Sequence, residues 1–258
     1  ALEGSNLESE TEALAEFYES VRLRAAGIDN AEGKQRVITE LYEKFFRLAF
    51  PRSADALGIV YTPTEIVDFI LRSVNDLLVT EFGTTISAPG VHVLDPFTGT
   101  GTFVTRLLAS GLIAPEDLAR KFTSELHANE ITLLAYYIAA ANIEATFHDL
   151  TASFAADAVA PASADPRAWV PFDGIVLADT FQMSEHEDVL DGLVFRTNSE
   201  RAERQLDLDI RVIVGNPPYS VGQTSGNDNN ANLRYPSLDA RIEATYAARS
   251  TATLKNSL

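Results

Sequence analysis

Four consecutive residues near the end of the chain could hold a planar amino or amide group: Asn216, Pro217, Pro218 and Tyr219. The two prolines fix φ and carry no N–H, so the backbone of this turn offers carbonyl acceptors and few competing donors. The asparagine side chain adds an acceptor that does not titrate, and the tyrosine adds a flat aromatic face. We therefore predict that two acceptors of this turn bind the hydrogens of an –NH2 group while the aromatic ring stacks against it.

A glycine-rich turn in the middle of the chain predicts a second binding site. Its candidate residues are Asp95, Phe97, Thr98, Gly99 and Gly101. The two glycines allow a ligand to approach the backbone closely. The spacing is neither that of a phosphate-binding P-loop nor Gly-x-Gly-x-x-Gly, because no third glycine follows. A carboxylate ahead of the glycines would repel a pyrophosphate, so the turn predicts a ligand that carries an amine.

Two further carboxylates end predicted strands. Glu130 ends the second strand, where an acidic side chain can accept both hydroxyls of a ribose. An alternative for Glu130, a glutamate favoured by the dipole at a helix N-terminus, is equally consistent with the sequence. Asp179 ends the third strand, and its carboxylate could accept the exocyclic amine of an adenine ring that lies over the sheet edge.

A short segment, Tyr61, Thr62 and Pro63, precedes an apolar helical pattern. With Thr62 as N-cap, Pro63 as the first helical residue and Glu65 two residues later, the segment predicts a capping box. Taken alone, this structural interpretation is the stronger one. The functional interpretation places Tyr61 and Thr62 beside a small anionic or aromatic ligand, because the free N–H groups of a helix N-terminus favour carboxylates.

Alternating strands and helices are predicted to position these side chains. Such alternation is typical of an α/β fold with a parallel sheet. Strands are predicted near residues 91–95, 121–130, 172–181 and 212–214. Helices are predicted after Pro63 to residue 80, over 131–145, around 200–204 and over 238–255. Residues 151–170 are predicted to form a surface loop, because they are rich in Ala, Pro, Ser and Asp. Open α/β sheets carry their sites at the carboxyl ends of the strands, where all the candidate turns fall.

Residues 1–57 predict a different, all-helical arrangement. Apolar positions recur at helical spacing over 3–26 and 31–50, with Gly27 and Pro51 as the breaks. The two patterns together indicate an α-hairpin without visible catalytic residues. We therefore expect an N-terminal helical extension at 1–57, followed by the main domain at 58–258.

The composition is that of a globular protein, since 46% of the 258 residues are hydrophobic and the mean hydropathy is −0.01. No run of about 18 apolar residues and no signal-like segment predicts membrane insertion or secretion. The lack of cysteine excludes disulfides and thiolate ligands and fits the cytoplasmic location that we expect. No group of His, Asp and Glu has metal-site spacing, so no metal is expected.

The formal net charge of −17 opposes a broad surface for gripping nucleic acid, because phosphate contacts need a basic face. Only four lysines accompany sixteen arginines, which are spread through the sequence. Any DNA-binding surface is therefore expected to be local or to lie on sequence outside this chain. A final helical pattern without a stop signal and a first residue other than Met also predict a fragment of a longer protein.

In combination, the motifs resemble those of S-adenosylmethionine-dependent amino-methyltransferases, and in particular gamma-class N6-adenine DNA methyltransferases. In that class a Tyr-Thr-Pro helix precedes the glycine motif, and target recognition follows the catalytic motif. Segments 58–63, 95–103 and 216–223 are similar to those of Type ISP restriction–modification enzymes, in which a nuclease and a helicase precede a helical coupler, a methyltransferase and a recognition domain. The resemblance covers residues 58–245. It implies a Rossmann-like methyltransferase sheet of seven strands that is incomplete here at its C-terminus, with residues 1–57 as lead-in or coupler.

The resemblance also implies a role for each candidate residue. The methionine part of the cofactor S-adenosyl-L-methionine would be lined by Asp95, Phe97, Thr98, Gly99 and Gly101, with Tyr61 and Thr62 nearby. Glu130 would hold the ribose and Asp179 the adenine. Asn216 and the Pro217 carbonyl would bind the target N6 amine, Pro218 would stiffen the turn, and Tyr219 would stack on the flipped base.

The activity implied is site-specific DNA adenine-N6 methylation within a restriction–modification system. Double-stranded DNA would be the partner, contacted through parts outside this chain, with nuclease and helicase domains on the same polypeptide. A protein glutamine-N5 methyltransferase of the release-factor type is an alternative, because it uses the same Asn-Pro-Pro-Tyr turn on a planar amide. The Tyr-Thr-Pro helix argues against it. A cofactor-binding fragment without activity of its own is a third alternative.

Overall fold

A computed structural model of the chain describes residues 62–157, 169–183, 196–217 and 235–251. All of these residues belong to one structural unit, Ala56–Leu258. The predicted helical extension at 1–57 lies outside the described residues, as do Tyr61, Pro218 and Tyr219. The described part contains all four strands predicted to position the site.

The four strands pair in parallel and form one sheet. They are β1 (His92–Asp95), β2 (Leu126–Glu130), β3 (Ile175–Leu177) and β4 (Ile210–Ile213). The spatial order is β3-β2-β1-β4, with Val93 opposite Leu126 on one side and Val212 on the other. The predicted α/β class is confirmed. The described residues contain four strands of a Rossmann-like sheet, fewer than the seven that the resemblance implies.

Parallel strands need crossover connections, and helices supply them here. The helices are α1 (Thr64–Phe82), α2 (Thr102–Ala109), α3 (Leu133–Asp157), α4 (Arg196–Leu206) and α5 (Pro236–Ile242). The core is filled by large apolar side chains, which include Leu71, Phe103, Leu107, Phe122, Ile143 and Phe147. None of the helices in the described ranges is long and apolar enough to cross a membrane.

The order of the strands creates a switch point beside β1. The chain passes outward from β1 to β2 and β3, and then returns to the opposite side of β1 as β4. The carboxyl ends of β1 and β4 therefore lie side by side where the strand order reverses, which is the place where open α/β sheets carry a crevice. Ligands of open α/β sheets bind in such a crevice.

Helix α1 is fixed to α2 by an ion pair. The Arg106 guanidinium donates to both carboxylate oxygens of Asp68, with Nε–Oδ1 at 2.8 Å and Nη2–Oδ2 at 2.6 Å. The arginine lowers the pKa of Asp68 through this hydrogen bond. Bidentate pairing fixes orientation as well as distance. The start of α1 therefore keeps a defined position relative to the helix that follows the glycine turn.

A buried lysine holds the opposite, amino end of the sheet. Lys121 is fully buried, and its Nζ donates to the Ala88 and Val91 carbonyls at 2.9 and 2.8 Å. It also pairs with Glu125 Oε2 at 2.7 Å. Burial raises the pKa of Glu125, but hydrogen bonds from Lys121, Gly90 and Arg120 outweigh it and lower the pKa to about 2. The buried lysine thus has three acceptors, which offsets the cost of burying its charge.

Helix α1 begins differently from the prediction. The capping box of Thr62, Pro63 and Glu65 is not formed, because α1 starts at Thr64, Pro63 occupies the N-cap position and no side chain caps the helix. The Pro63 carbonyl instead accepts two N–H groups of the first turn, at 3.0 and 3.1 Å. Proline cannot donate and fixes its own φ, so it turns the chain into the helix without a side-chain cap.

Two predicted boundaries are also wrong. Strand β2 starts at Leu126, because residues 118–125 are helical up to the position of Glu125. Helix α3 continues to Asp157, so the first part of the predicted loop 151–170 is helical. Alanine favours a helix, and the Thr151 hydroxyl donates within the helix to the Phe147 carbonyl at 3.0 Å. Residues 158–168 lie outside the described residues.

Candidate functional site at the carboxyl edge of the sheet

All four strands deliver a predicted site residue to the same edge of the sheet. Asp95 is the last residue of β1 and Glu130 the last of β2. Asp179 follows β3 by two residues, and Gly215 and Asn216 follow β4. Parallel strands end at a common edge, so residues far apart in sequence converge there.

Asp95 is a buried carboxylate with an unused oxygen. Its side chain is 1% exposed, and Oδ1 accepts the Phe97 N–H at 3.2 Å. The other oxygen, Oδ2, has no hydrogen-bond partner among the described residues. Burial raises the pKa of Asp95 to about 7; the Phe97 N–H and the nearby Thr98 hydroxyl lower it in part, and the Glu130 carboxylate acts in the same direction as burial. A buried acceptor without a donor favours a ligand that brings one.

Gly215 brings the end of β4 into contact with Asp95. A Cβ atom on Gly215 would lie 2.9 Å from Asp95 Oδ1 and 3.4 Å from Pro96 Cδ. A larger residue would displace the Asp95 carboxylate from its present position, so this close approach favours glycine. The turn that starts with Asn216 is therefore adjacent to the carboxylate that starts the glycine turn.

The two glycines of the turn have different surroundings. Both have positive φ, +56° at Gly99 and +86° at Gly101. A Cβ on Gly99 would meet no atom within 4 Å, whereas one on Gly101 would lie 3.2 Å from Ile143 and 3.3 Å from Ala139. Gly99 therefore faces open space where a ligand can approach. Gly101 is buried and lets the turn pack closely against α3.

Glu130 holds the glycine turn to the end of β2. Its Oε2 accepts the Gly99 N–H at 3.0 Å, and its Oε1 accepts the N–H and hydroxyl of Thr132 at 2.8 and 2.6 Å. Burial raises its pKa despite these hydrogen bonds. A carboxylate has about four lone-pair positions, so three are already used. The side chain is organised by protein donors, with limited capacity left for a ligand hydroxyl.

Asp179 is likewise held by protein donors. Its Oδ1 accepts the Phe181 N–H at 3.0 Å, and its Oδ2 accepts the Tyr235 hydroxyl at 3.0 Å. Phe181 lies between two other rings, with centroids 5.2 Å from Phe97 and 5.6 Å from Tyr235. An aromatic wall therefore stands beside the Asp179 carboxylate.

Asn129 and Thr180 join three strand ends, although the sequence did not single them out. Asn129 is 1% exposed and donates from Nδ2 to the Thr180 hydroxyl at 3.2 Å. Thr180 in turn donates to the Pro96 carbonyl at 2.7 Å. In the sequence, Asn129 directly precedes Glu130 and Thr180 directly follows Asp179. This adjacency to a predicted carboxylate was the only sequence signal that could have identified them. The network fixes the turns from which the site residues project.

The remaining predicted residues are placed as follows. Thr62 lies just before α1, half-buried, and Thr98 is buried in the glycine turn, where its N–H donates to the Asn129 carbonyl at 2.9 Å. Asn216 is half-buried and Pro217 exposed after β4. Tyr61, Pro218 and Tyr219 lie outside the described residues. Across 62–157, 169–183, 196–217 and 235–251, no three His, Cys, Asp or Glu side chains are grouped to bind a metal.

The arrangement is an acceptor-rich crevice with one aromatic side. Acceptors end all four strands, open space lies over Gly99, and aromatic rings flank Asp179. Such a site fits an elongated ligand that carries a cationic group, further donors and a flat ring. It offers neither a basic side chain nor a nucleophilic thiol among the site residues named above.

No known protein-family profile and no curated protein matches the chain. Solved structures do match. A nuclease-deletion mutant of the Type ISP restriction–modification enzyme LlaGI, in complex with a DNA substrate mimic, is 48% identical over 94% of this chain, with a TM-score of 0.75. The ATP-dependent Type ISP restriction–modification enzyme LlaBIII bound to DNA is 48% identical over 96%, with a TM-score of 0.77.

A third match, a complex of DrdV with DNA, is 39% identical over 98% of this chain, with a TM-score of 0.80. The chain spans only 19%, 16% and 23% of the LlaGI, LlaBIII and DrdV chains, respectively. Nearly all of it is therefore similar in sequence and fold to one segment of two Type ISP restriction–modification enzymes.

Proposed function

We propose that the chain is the methyl-transferring segment of a site-specific DNA adenine-N6 methyltransferase, with S-adenosylmethionine as cofactor, in a restriction–modification enzyme. The observation that carries the proposal is the contact between Gly215 and Asp95. Through it, the glycine turn, where the cofactor would bind, is adjacent to the Asn216 turn, which would hold the amine. A methyl donor and an amine acceptor must be held side by side in this way for transfer.

The donor groups of the cofactor fit the acceptors of the crevice. S-adenosylmethionine carries an ammonium group, two ribose hydroxyls and the exocyclic amine of adenine. The unpaired Asp95 Oδ2 suits the ammonium group, directly or through water, the remaining capacity of Glu130 suits a hydroxyl, and Asp179 suits the amine. When bound, the cofactor supplies a methyl group on a positively charged sulfur, which an amine lone pair can accept.

The Asn216 turn would prepare the target amine. The Asn216 side-chain oxygen and the Pro217 carbonyl would accept its two hydrogens, which draws the nitrogen lone pair out of conjugation with the ring. Tyr219 would stack on the flipped base. Positioning and fixed dipoles then supply the catalysis, and no covalent enzyme intermediate is required.

The restriction–modification context and the DNA partner come from the structural relatives. Two of them are Type ISP restriction–modification enzymes, and all three are bound to DNA or to a DNA substrate mimic. Because this chain has a net charge of −17, most phosphate contacts would come from other parts of a longer polypeptide. Nuclease and helicase domains would belong to that polypeptide as well.

Calorimetry with S-adenosylmethionine tests the cofactor site. We expect the chain to bind, Asp95→Ala to lose binding, and Asn216→Ala to retain it because that side chain serves the amine. Asp209→Ala is a matched control, since its carboxylate is 79% exposed. A longer polypeptide that contains this chain and does not bind the cofactor would refute the proposal.

A methyl-labelled cofactor distinguishes the possible targets. Duplex DNA and a Gly-Gly-Gln peptide are offered separately to a longer polypeptide that contains this chain, and the product is identified by mass spectrometry. Label on adenine N6 that Asn216→Ala abolishes supports the DNA reaction. Label on the peptide and not on DNA favours the glutamine methyltransferase. Binding without label on either substrate favours a cofactor-binding fragment.

A further inference from the structure

Helix α5 places a tyrosine at the carboxylate that follows β3. Tyr235 is the residue before α5, and its hydroxyl donates to Asp179 Oδ2 at 3.0 Å. The two residues are 56 positions apart, so the contact joins the C-terminal part of the chain to the sheet edge. Burial raises the pKa of Tyr235 to about 12, and Asp179 contributes in the same direction. The hydroxyl therefore remains a donor at neutral pH.

The ring of Tyr235 extends an aromatic surface. Its centroid lies 5.6 Å from that of Phe181, and Phe181 lies 5.2 Å from Phe97. The interplanar angles are 55° and 41°, so the rings pack in a tilted row and not in a stack. Phe97 belongs to the glycine turn. The row therefore runs from the glycine turn to the carboxylate that follows β3.

After its hydrogen bonds to the protein, the Asp179 carboxylate can still accept a limited number of hydrogen bonds from a ligand. Each oxygen accepts one protein donor, Phe181 N–H on Oδ1 and the Tyr235 hydroxyl on Oδ2. A carboxylate has about two lone-pair positions on each oxygen, so one remains on each. With both sides held, the carboxylate cannot turn freely. It presents fixed acceptors beside an aromatic surface.

We propose that Tyr235 is a positioning and specificity residue of the cofactor site, which orients Asp179 to accept a purine 6-amino group while its ring forms part of the wall beside the purine. This inference rests on the proposed function. A 6-oxo purine would place an acceptor against an acceptor, so the pair selects adenine over hypoxanthine. Specificity of this kind requires that Asp179 be held, and the Tyr235 hydroxyl holds it.

Calorimetry with two ligands tests the proposal: S-adenosylhomocysteine and its inosine counterpart, which carries oxygen in place of the 6-amino group. The unaltered chain should prefer the adenosyl ligand. Tyr235→Phe keeps the ring and removes the hydroxyl, and we expect about tenfold weaker adenosyl binding, the effect of one hydrogen bond to a charged group. Inosyl binding should change little, so the selectivity falls. Tyr235→Ala should weaken both ligands, because the ring is lost as well.

Two controls separate specificity from a general structural effect. Tyr246 lies in the helical turn after α5 and is 80% exposed, so Tyr246→Phe should bind both ligands like the unaltered chain. Asp179→Asn should lose the selectivity by itself. In the double variant Asp179→Asn/Tyr235→Phe, removal of the hydroxyl should have no further effect on selectivity, since its partner carboxylate is gone.

The outcomes distinguish this inference from the proposed function. If neither the unaltered chain nor a longer polypeptide that contains it binds either ligand, the proposed function itself fails. If it binds and Tyr235→Phe keeps its affinity and selectivity, only the role of Tyr235 is overturned. Tighter adenosyl binding by Tyr235→Phe would also overturn it, because the hydroxyl would then compete with the ligand for Asp179. Should Tyr235→Phe fail to fold, Asp179→Asn decides, since retained selectivity there contradicts the proposal.

Discussion

Replacing Asp95 by asparagine should stabilise the free protein while it removes the carboxylate that we propose binds the ammonium group of the cofactor. The carboxylate is 1% exposed, and burial raises its pKa to about 7 from the ordinary value of 3.8. The unfolded state releases its proton near pH 3.8 and the native state only near pH 7, so stability is fully present below pH 3.8, falls between these two values, and has lost the full amount once the pH has passed 7. Asparagine has nearly the same shape and keeps an acceptor for the Phe97 N–H.

The size of the effect follows from the shift. Each pKa unit corresponds to about 1.4 kcal/mol, so the ionised carboxylate costs the native state up to about 4 kcal/mol at pH 8. At pH 5, where only part of the shift is expressed, the same relation gives about 2 kcal/mol. The advantage of Asp95→Asn in free energy of unfolding should therefore grow by about 2 kcal/mol between these two pH values.

Urea unfolding followed by circular dichroism at pH 5, 6, 7 and 8 measures this difference. Asp209→Asn is the control, because that carboxylate is 79% exposed and should show no comparable trend. An Asp95→Asn variant that is equally stable or less stable than the unaltered chain at pH 8 would show that the ionised Asp95 carboxylate does not destabilise the native state. The same variant should no longer bind S-adenosylmethionine, and binding by the unaltered chain should strengthen as the pH rises through about 7.

Four further substitutions probe the glycine turn and strand β2, all measured by urea unfolding. Gly101→Ala should lose about 1–3 kcal/mol, because a Cβ would meet Ile143 at 3.2 Å and φ is +86°, whereas Gly99→Ala should lose about 1 kcal/mol from its positive φ alone. A smaller effect at Gly101 than at Gly99 would contradict these surroundings. Burial lowers the pKa of His127 to about 4, so only the unfolded state binds a proton between pH 6.5 and 4, and about 3 kcal/mol of stability should disappear over that fall in pH. His127→Phe should remove this loss, and an unchanged pH profile would exclude His127 as its source. Glu130→Gln should destabilise the free protein by about 1–3 kcal/mol, because an amide N–H group would face a protein donor, and unchanged stability would leave Glu130 only a ligand role.

The positions of the carboxylates were predictable because a parallel sheet imposes them. Once strands are recognised, their carboxyl ends must meet at one edge, and Asp95, Glu130 and Asp179 must meet with them. The sheet order β3-β2-β1-β4 adds what the sequence did not specify, namely that β4 lies beside β1. The contact of Gly215 with Asp95 depends on that order.

Contacts between distant side chains were not predictable in this way. The Tyr235 hydroxyl reaches Asp179 across 56 positions, and no local pattern marks it. Asn129 and Thr180 form a network that depends on the relative heights of three strand ends. The prediction of a capping box was wrong for another reason. The free N–H groups at a helix start can find acceptors in more than one way, and here the Pro63 carbonyl accepts two of them.

Asp95 differs from the other two carboxylates in a way that bears on binding. Glu130 and Asp179 already accept protein donors on both oxygens, so they are oriented before a ligand arrives. Asp95 has one oxygen without a donor and a pKa raised by burial. A bound cation removes that penalty, so the free energy lost in the free protein is recovered on binding. The instability that Asp95→Asn should relieve is therefore the same free energy that would make the site select a positively charged ligand.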